Sequence, residues 1–322
     1  MMNEPILSLA PMAGITDWPT RLLCCEQGCN YTTTEMISAM GLLQAPSDSV
    51  VYRYLLSVSP DEKPPVAQLF GHEPGYLAQA AAKLTDMGIF SGIDINMGCP
   101  APKVTGSGSG SALMRDLPLA EKIIKAVRKS TSLPLSVKMR LGWDEQHITA
   151  PELAHICEDS GCDLITVHGR TRDQQYSGQA DWDAIAAICD TVHLPVLLNG
   201  DITTADDALR ALQYCRCAGI AIGRGALGNP FIFSQIASAL KGEAPVLPTV
   251  RQLTDIAVRH VRLMAEWKGE RGAVIEMRKH LCWYIHGKPG AARLRTRIVT
   301  TESLTDVIEL LNEYAETAVC PL

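Results

Sequence analysis

Val196-Leu197-Leu198-Asn199-Gly200-Asp201 and Gly219-Ile220-Ala221-Ile222-Gly223-Arg224-Gly225 share one pattern: a short apolar run that ends in glycine beside a polar or charged side chain. Such runs are too short for a buried helix, and parallel strands covered on both faces read this way. Toward the N-terminus the same reading applies to 164–168, 135–139, 92–96, 66–70, 31–35 and 7–10. Helical patterns at 73–87, 117–130, 151–160, 182–189 and 205–213 separate them. Strand and helix in alternation predict an α/β fold with a parallel sheet, either an open doubly wound sheet or a closed (β/α)₈ barrel.

The strand ends favour the barrel. Pro11-Met12-Ala13-Gly14, Gln68, Asn96-Met97-Gly98-Cys99, Lys138, His168-Gly169-Arg170, Asn199-Gly200-Asp201 and Gly223-Arg224-Gly225 all lie in or just after the last turn of a strand. A barrel gathers those ends on one face, where its active site sits, whereas an open sheet spreads them along an edge. The Gly242–Pro248 stretch carries Pro245 and Pro248 and reads as a linker. Beyond it 249–270 and 302–318 have helical spacing, as in Leu304, Val307, Ile308 and Leu311. The expected organisation is a TIM-barrel domain over 1–243 and a small C-terminal helical bundle over 244–322.

The 322 residues fit that plan, and 47 % hydrophobic content can fill its core. No apolar run approaches a membrane span, and Met1 to Leu9 carries Glu4 and no basic leader, so a cytoplasmic protein with no membrane partner is expected. The 11 cysteines, odd in number and without a C-x-x-C pair, read as reduced thiols. Cys25 and Cys29 would share a helix face near Cys24, but the ligand spacing for zinc is missing, so no metal site is expected. The net charge of −6 argues against a general nucleic-acid binder. Residues 251–300 nevertheless hold 11 basic and 4 acidic side chains, which suggests a polyanion contacted from one end, or else a solvated helix face. No obligate protein partner is evident.

At the strand ends, Asn199-Gly200-Asp201 and Gly223-Arg224-Gly225 offer close backbone approach and one guanidinium, which suits a phosphate group; ordinary tight turns with a surface arginine are the plainer alternative. Lys138 in a barrel mouth calls for an anion. Gln68 can both donate to and accept from a ring edge. Cys99 follows a buried strand and precedes Pro100, so a sharp turn would expose its thiol. Three roles compete for it: nucleophile, general acid and structural thiol. The following Gly106-Ser107-Gly108-Ser109-Gly110-Ser111 reads as flexible, either a lid that carries Cys99 or a plain solvent loop.

Taken together, Leu9-Ala10-Pro11-Met12-Ala13-Gly14-Ile15-Thr16-Asp17, Thr34-Glu35-Met36, Gln68-Leu69-Phe70-Gly71, Asp94-Ile95-Asn96-Met97-Gly98-Cys99-Pro100, Ser136-Val137-Lys138-Met139-Arg140, Val167-His168-Gly169-Arg170-Thr171, Asn199-Gly200-Asp201 and Ile222-Gly223-Arg224-Gly225 resemble the tRNA-dihydrouridine synthases. Met277-Arg278-Lys279-His280 with Trp283-Tyr284 resembles their bacterial B-like branch. The resemblance implies FMN as cofactor, NADPH as reductant and tRNA as substrate, with uridine reduced to 5,6-dihydrouridine. It puts FMN on Pro11, Met12, Ala13, Gln68, Lys138, His168, Asn199, Gly200, Asp201, Gly223 and Arg224. It puts the proton donor on Cys99 and the reader of the uracil edge on Asn96. Arg278, Lys279, Arg293, Arg295 and Arg297 are the expected RNA-phosphate contacts, from the basic cluster and the family's two-domain plan. Cys24, Cys25, Cys29, Ser107 and Ser109 depart from the family's usual residues. Two other readings stay open: an FMN barrel acting on a free pyrimidine, like a dihydroorotate dehydrogenase, and a non-catalytic RNA-folding helper.

Overall fold

A computed structural model describes residues 4–317. Met1 to Asn3 of the stretch read for a leader, and residue 318 of the last expected helix, lie outside them. The strands are β1 Ile6–Leu9, β2 Tyr31–Thr32, β3 Ile37–Ser38, β4 Val66–Phe70, β5 Gly92–Met97, β6 Leu135–Arg140, β7 Leu164–His168, β8 Val196–Asn199 and β9 Gly219–Ile222. They form one parallel sheet in the order β2-β1-β9-β8-β7-β6-β5-β4-β3.

The ring closes through the segment from Tyr31 to Ser38. Its first part pairs with β1, Thr33 bridges Val66, Thr34 N–H donates to Val66 O at 2.9 Å, and its last part pairs with Leu69–Phe70. The expected continuous strand over 31–35 is therefore one stave in two pieces, displaced toward its C-terminal end. A single straight strand this close to closure cannot follow both tilted neighbours, and the break lets each half follow one of them. With that stave counted once, the fold is a (β/α)₈ barrel.

Helices cross back outside the ring, and several carry their start signal in the sequence. Asp17, Asp116 and Asp181 accept the N–H of Thr20, Leu119 and Ala184, and Thr204 with Asp207 makes a reciprocal capping box. Along β5 the side chains alternate: Ile93, Ile95 and Met97 join the main hydrophobic core under the helices, while Asp94 and Asn96 point into the barrel. The opposite wall of the interior is apolar, a small cluster of Ala10, Leu164, Leu197 and Ala221.

After Gly242 the chain runs without regular structure to Thr249, as the linker reading expected. Four helices follow: Val250–Lys268, Glu270–Tyr284, Ala291–Thr300 and Leu304–Thr317. The first ends at Lys268, capped by Gly269, two residues short of the expected 270. Val261, Met264, Val274, Met277, Leu281, Ile298, Val307 and Leu311 form a second core, which takes in Leu23 from the first barrel helix. Edge-on rings of Trp18 and Trp267, 5.9 Å apart, and an Arg259–Glu26 ion pair extend that contact.

Candidate active site

Strand register builds the site. Gln68, Asp94 and Ser136 are lateral neighbours across β4, β5 and β6; Asn96, Lys138 and Thr166 are neighbours one layer higher; Arg140, His168 and Asn199 follow. Above them opens a cavity of about 550 Å³. It is lined by all of the residues expected to hold FMN, from Pro11, Met12 and Ala13 round to Gly223 and Arg224, and by Asn96 and Cys99. The period-two alternation of each strand is what brings these residues together.

The wall is cationic. Lys138 donates to Asn199 Oδ1 at 3.0 Å, a neutral partner, and Asn199 Nδ2 is tied to Ala221 O at 2.7 Å. Burial, and next the charge of Arg140, brings Lys138 down to about 8, against the opposing pull of Asp94. Arg140 itself donates to Gly98 O, Thr171 O and Gln175 O, and lies 5.8 Å from the Tyr176 ring centre. Burial, followed by the charges of Lys138, Arg140, Arg170 and Arg224, holds His168 far below the usual histidine range, so its imidazole is neutral. Arg170 was placed among the strand ends without a role in the site, and Tyr176 was not anticipated there at all. The fully buried Arg170 grips both oxygens of Asp201, at 2.9 and 2.6 Å, and the half-exposed Arg224 pairs with the same carboxylate while its guanidinium lies 4.7 Å from the Tyr176 ring centre. Asp201 also accepts the Ala180 N–H. Its carboxylate thus serves to set Arg224 in place.

Cys99 sits on the turn after β5. Its N–H donates to Asn96 Oδ1 at 2.9 Å, and its carbonyl accepts the N–H and hydroxyl of Ser111 at 3.1 and 3.0 Å. The Gly-Ser stretch read as flexible leaves Gly106 and Ser107 exposed but is packed from Ser109 on: Ser109 and Ser111 are buried, and 110–115 forms a 3₁₀ turn. Gly110 has φ +62°, and a Cβ there would stand 2.8 Å from Cys99 O. The segment braces Cys99. Its composition misled because what holds its far end is the pair of Ser111 bonds to Cys99, twelve residues back.

Asn96 and Gln68 are less free than a ligand-reading role supposes. Asn96 Oδ1 also accepts the Gly98 N–H, its amide donates to Gln68 Oε1 at 2.9 Å, and Gln68 Nε2 donates to Asp94 at 2.8 Å. Each keeps one amide hydrogen unassigned.

The five expected phosphate contacts are not alike. Lys279 is exposed and donates to Gly14 O at 2.5 Å, on the loop after β1. Arg293 and Arg295 are exposed on helix Ala291–Thr300. Arg278 is half-buried and donates to Thr301 O at 3.0 Å, so it closes the end of that helix. Arg297 pairs with Glu313 at 2.9 Å. None of the five lines the cavity. Among the described residues no three His, Cys, Asp or Glu side chains gather as a metal site would require, and no helix is long and apolar enough to cross a membrane.

The family model described as dihydrouridine synthase matches residues 8–319, which spans every element of this site. The chain belongs to the dihydrouridine synthase family. It is 41 % identical over 307 residues to the probable tRNA-dihydrouridine synthase of Rickettsia conorii, covering 95 % of this chain and 92 % of that one. Over 300 residues it is 43 % identical to the protein so named from Rhodobacter capsulatus, with 92 % and 90 % covered. Over 313 residues it is 38 % identical to probable tRNA-dihydrouridine synthase 1 of Synechocystis, with 96 % and 86 % covered. Among solved structures it is similar in fold to the 6-hydroxypseudooxynicotine amine oxidase of Pseudomonas geniculata, with TM-score 0.55, 11 % identity and 80 % of this chain covered. A 2-naphthoyl-CoA reductase gives TM-score 0.53 at 11 % identity over 74 % of this chain. This chain spans half the length of each of those two proteins, and the likeness concerns the fold alone.

Proposed function

We propose that this family member is an FMN-dependent tRNA-dihydrouridine synthase of the cytoplasm, which reduces uridine to 5,6-dihydrouridine in tRNA with NADPH as electron donor. The observation that carries the reading is the placement of the Cys99 thiol on the lip of a cavity walled by Lys138, His168, Asn199 and Arg224. The names of the relatives add the RNA substrate.

The donor set fits FMN. Lys138 lacks a carboxylate partner and sits where burial disfavours its charge, so an anionic group in the cavity would satisfy it. Arg224, steered by Asp201, suits a phosphate at the neighbouring glycine-bearing turns. A Cβ at Gly223 would meet nothing closer than Met12 Sδ at 3.8 Å, so the missing side chain leaves that wall open to a ligand. Pro11, Met12, Ala13, Gln68, Lys138, His168, Asn199, Gly200, Asp201, Gly223 and Arg224 would hold the cofactor. When bound, FMN supplies the hydride for C6 of the uracil ring.

The protein's part is to place the base and complete the addition. Reduction of the C5=C6 bond adds hydride at C6 and a proton at C5. The charge that develops passes through C4 and its oxygen. Cys99 Sγ–H gives its proton to C5, and the thiolate left behind is reprotonated from solvent. The neutral His168 and the ammonium of Lys138 lie in the same wall and stabilise negative charge. Asn96, with its remaining amide hydrogen, contacts the uracil edge. The base has to leave its loop, at a cost of a few kcal/mol, roughly, that contacts elsewhere on the tRNA offset. We assign those to a helical tRNA-binding domain over 244–322, beside a catalytic domain over 1–243.

A single-turnover assay tests this. The purified protein, its flavin spectrum recorded, is reduced with NADPH and mixed anaerobically with unmodified tRNA. Reoxidation by tRNA, with a uridine two mass units heavier, supports the reading. A flavin that tRNA leaves reduced and free uracil reoxidises overturns it.

A further inference from the structure

We propose that Asp94 is a positioning residue: its buried carboxylate anchors a one-way hydrogen-bond relay through Gln68 and Asn96 that holds the turn carrying Cys99. The proposal takes from the preceding section only that Cys99 is the acid.

The relay has a direction set by chemistry. The N–H groups of Gly98 and Cys99 can only donate, and both donate to Asn96 Oδ1, at 3.2 and 2.9 Å. That turns the Asn96 amide so that Nδ2 faces Gln68, to whose Oε1 it donates at 2.9 Å. Gln68 must then present Nε2 to the next group, and the next group is a carboxylate oxygen of Asp94 at 2.8 Å. The other oxygen of Asp94 accepts the Ser136 hydroxyl at 2.6 Å. Every link is a donor pointing down the chain toward a group that can accept. Asp94, Gln68 and Asn96 are between 1 % and 8 % exposed, so little water reaches these bonds.

Register makes the relay possible. Gln68 and Asp94 are direct Cα partners, as are Asp94 and Ser136, and Asn96 lies two residues along β5 from Asp94, on the same inward face. A carboxylate at this depth is costly. It makes no direct ion pair with Lys138, whose ammonium donates to Asn199, and the two charges attract only at longer range. Burial raises Asp94 to about 6, with the Ser136 and Gln68 bonds opposing. An acceptor that also polarises two amides in series gives that cost a purpose, because chained hydrogen bonds strengthen one another.

The test is a double-mutant cycle read by amide hydrogen exchange at Cys99, on the full-length protein without NADPH or tRNA, so it stands apart from whether the reaction is assigned correctly. Asp94→Leu should speed Cys99 amide exchange by roughly fivefold, as loss of about one net hydrogen bond does. In an Asn96→Ala background the same change should add nothing, because the link it acts through is gone. Asp94→Asn, which can still accept from Gln68 while donating to Ser136, should restore most of the protection. Gln68→Met, which breaks the middle link and leaves Asp94 alone, should match Asp94→Leu and covers the case in which that variant does not fold. Unchanged exchange in Asp94→Leu or Gln68→Met overturns the proposal. So does an equal effect with and without Asn96, which marks a general loosening of the barrel.

Discussion

Lys138 Nζ on β6 lies 3.0 Å from Asn199 Oδ1 on β8, past β7 and against a neutral oxygen. A cation held this way opposes the stability of the empty protein and serves whatever anion fills the cavity. Lys138→Met should therefore separate two quantities that usually move together. Thermal stability without flavin should hold or rise, because a disfavoured charge is removed. FMN affinity should fall by roughly ten- to a hundredfold, the worth of one charge-assisted hydrogen bond. Titration of flavin fluorescence and a melting curve on the same sample check both. Unchanged affinity would mean that the ammonium does not face the cofactor.

Cys99→Ala removes the thiol without touching the backbone bonds that fix the turn, since Asn96 and Ser111 bind the Cys99 N–H and carbonyl. The variant should stay yellow and bind tRNA, and its turnover should drop about 10²- to 10⁴-fold, the usual share of a positioned general acid. Single-turnover rates across pH give the comparison. Full activity in this variant would end the acid assignment.

Much of this site was legible in the sequence because strand periodicity is strict. Asp94-Ile95-Asn96, Ser136-Val137-Lys138 and Thr166-Val167-His168 each carry a polar residue at every second position, and those are the ones that meet in the barrel. Arg140 continues the same parity two residues after Lys138 and could have been found by it. What was not legible depends on distant partners. Nothing local to Gly106–Ser111 tells that Ser111 will bind the Cys99 carbonyl. Nothing local to Arg278 tells that Thr301 will turn it inward. Helices Glu270–Tyr284 and Ala291–Thr300 were not delimited, since the first starts at a glycine without a side-chain cap and the second is rich in arginine.

Gly228 is where the helical bundle meets the turn that follows Arg224. It has φ +64°, and a Cβ would lie 2.3 Å from the Trp283 carbonyl carbon and 2.4 Å from Tyr284 N. Neither neighbour is a movable side-chain end. Gly228→Ala should cost at least about 1–3 kcal/mol in backbone strain alone and should push helix Glu270–Tyr284 off the barrel. Faster proteolysis within 242–248, together with a lower denaturation midpoint, is the expected result. A variant as stable and protease-resistant as the parent would show that the two parts are not seated as described.

His260 and His280 face each other in the same junction, their rings 5.0 Å apart, with His260 Nδ1 3.1 Å from the Tyr284 hydroxyl. Burial lowers His260 to about 3, and burial with the neighbouring His260 charge lowers His280 still further. Both are neutral in the folded protein while the unfolded chain takes up a proton on each near the ordinary value of about 6.5. The unfolded state then binds more protons, so stability falls as pH drops below about 6.5, by up to about 1.4 kcal/mol per pH unit for each histidine. Asp17 and Asp94, raised to about 6 by burial, act in the opposite sense between that value and their unfolded one. The difference between wild type and His260→Gln isolates the histidine: the variant's slope between pH 6 and pH 4, roughly, should be shallower by one proton. Equal slopes would mean that His260 titrates normally.

Arg293 and Arg295 are exposed on helix Ala291–Thr300, and no ion pair engages either among the described residues, whereas neighbouring Arg297 pairs with Glu313 at 2.9 Å. Free guanidinium groups on the basic helical part are suited to phosphate, and two such contacts have a recognisable signature. Reversing both charges should weaken tRNA binding at low salt and reduce the slope of log affinity against log salt by about 1.4 to 1.8, from the counterions that two contacts release. FMN binding should not change, because neither residue lines the cavity. Affinities at several salt concentrations decide it: an unchanged slope would remove these two arginines from the RNA interface, and an unchanged slope after reversal of Lys279 as well would move that interface off this end of the molecule.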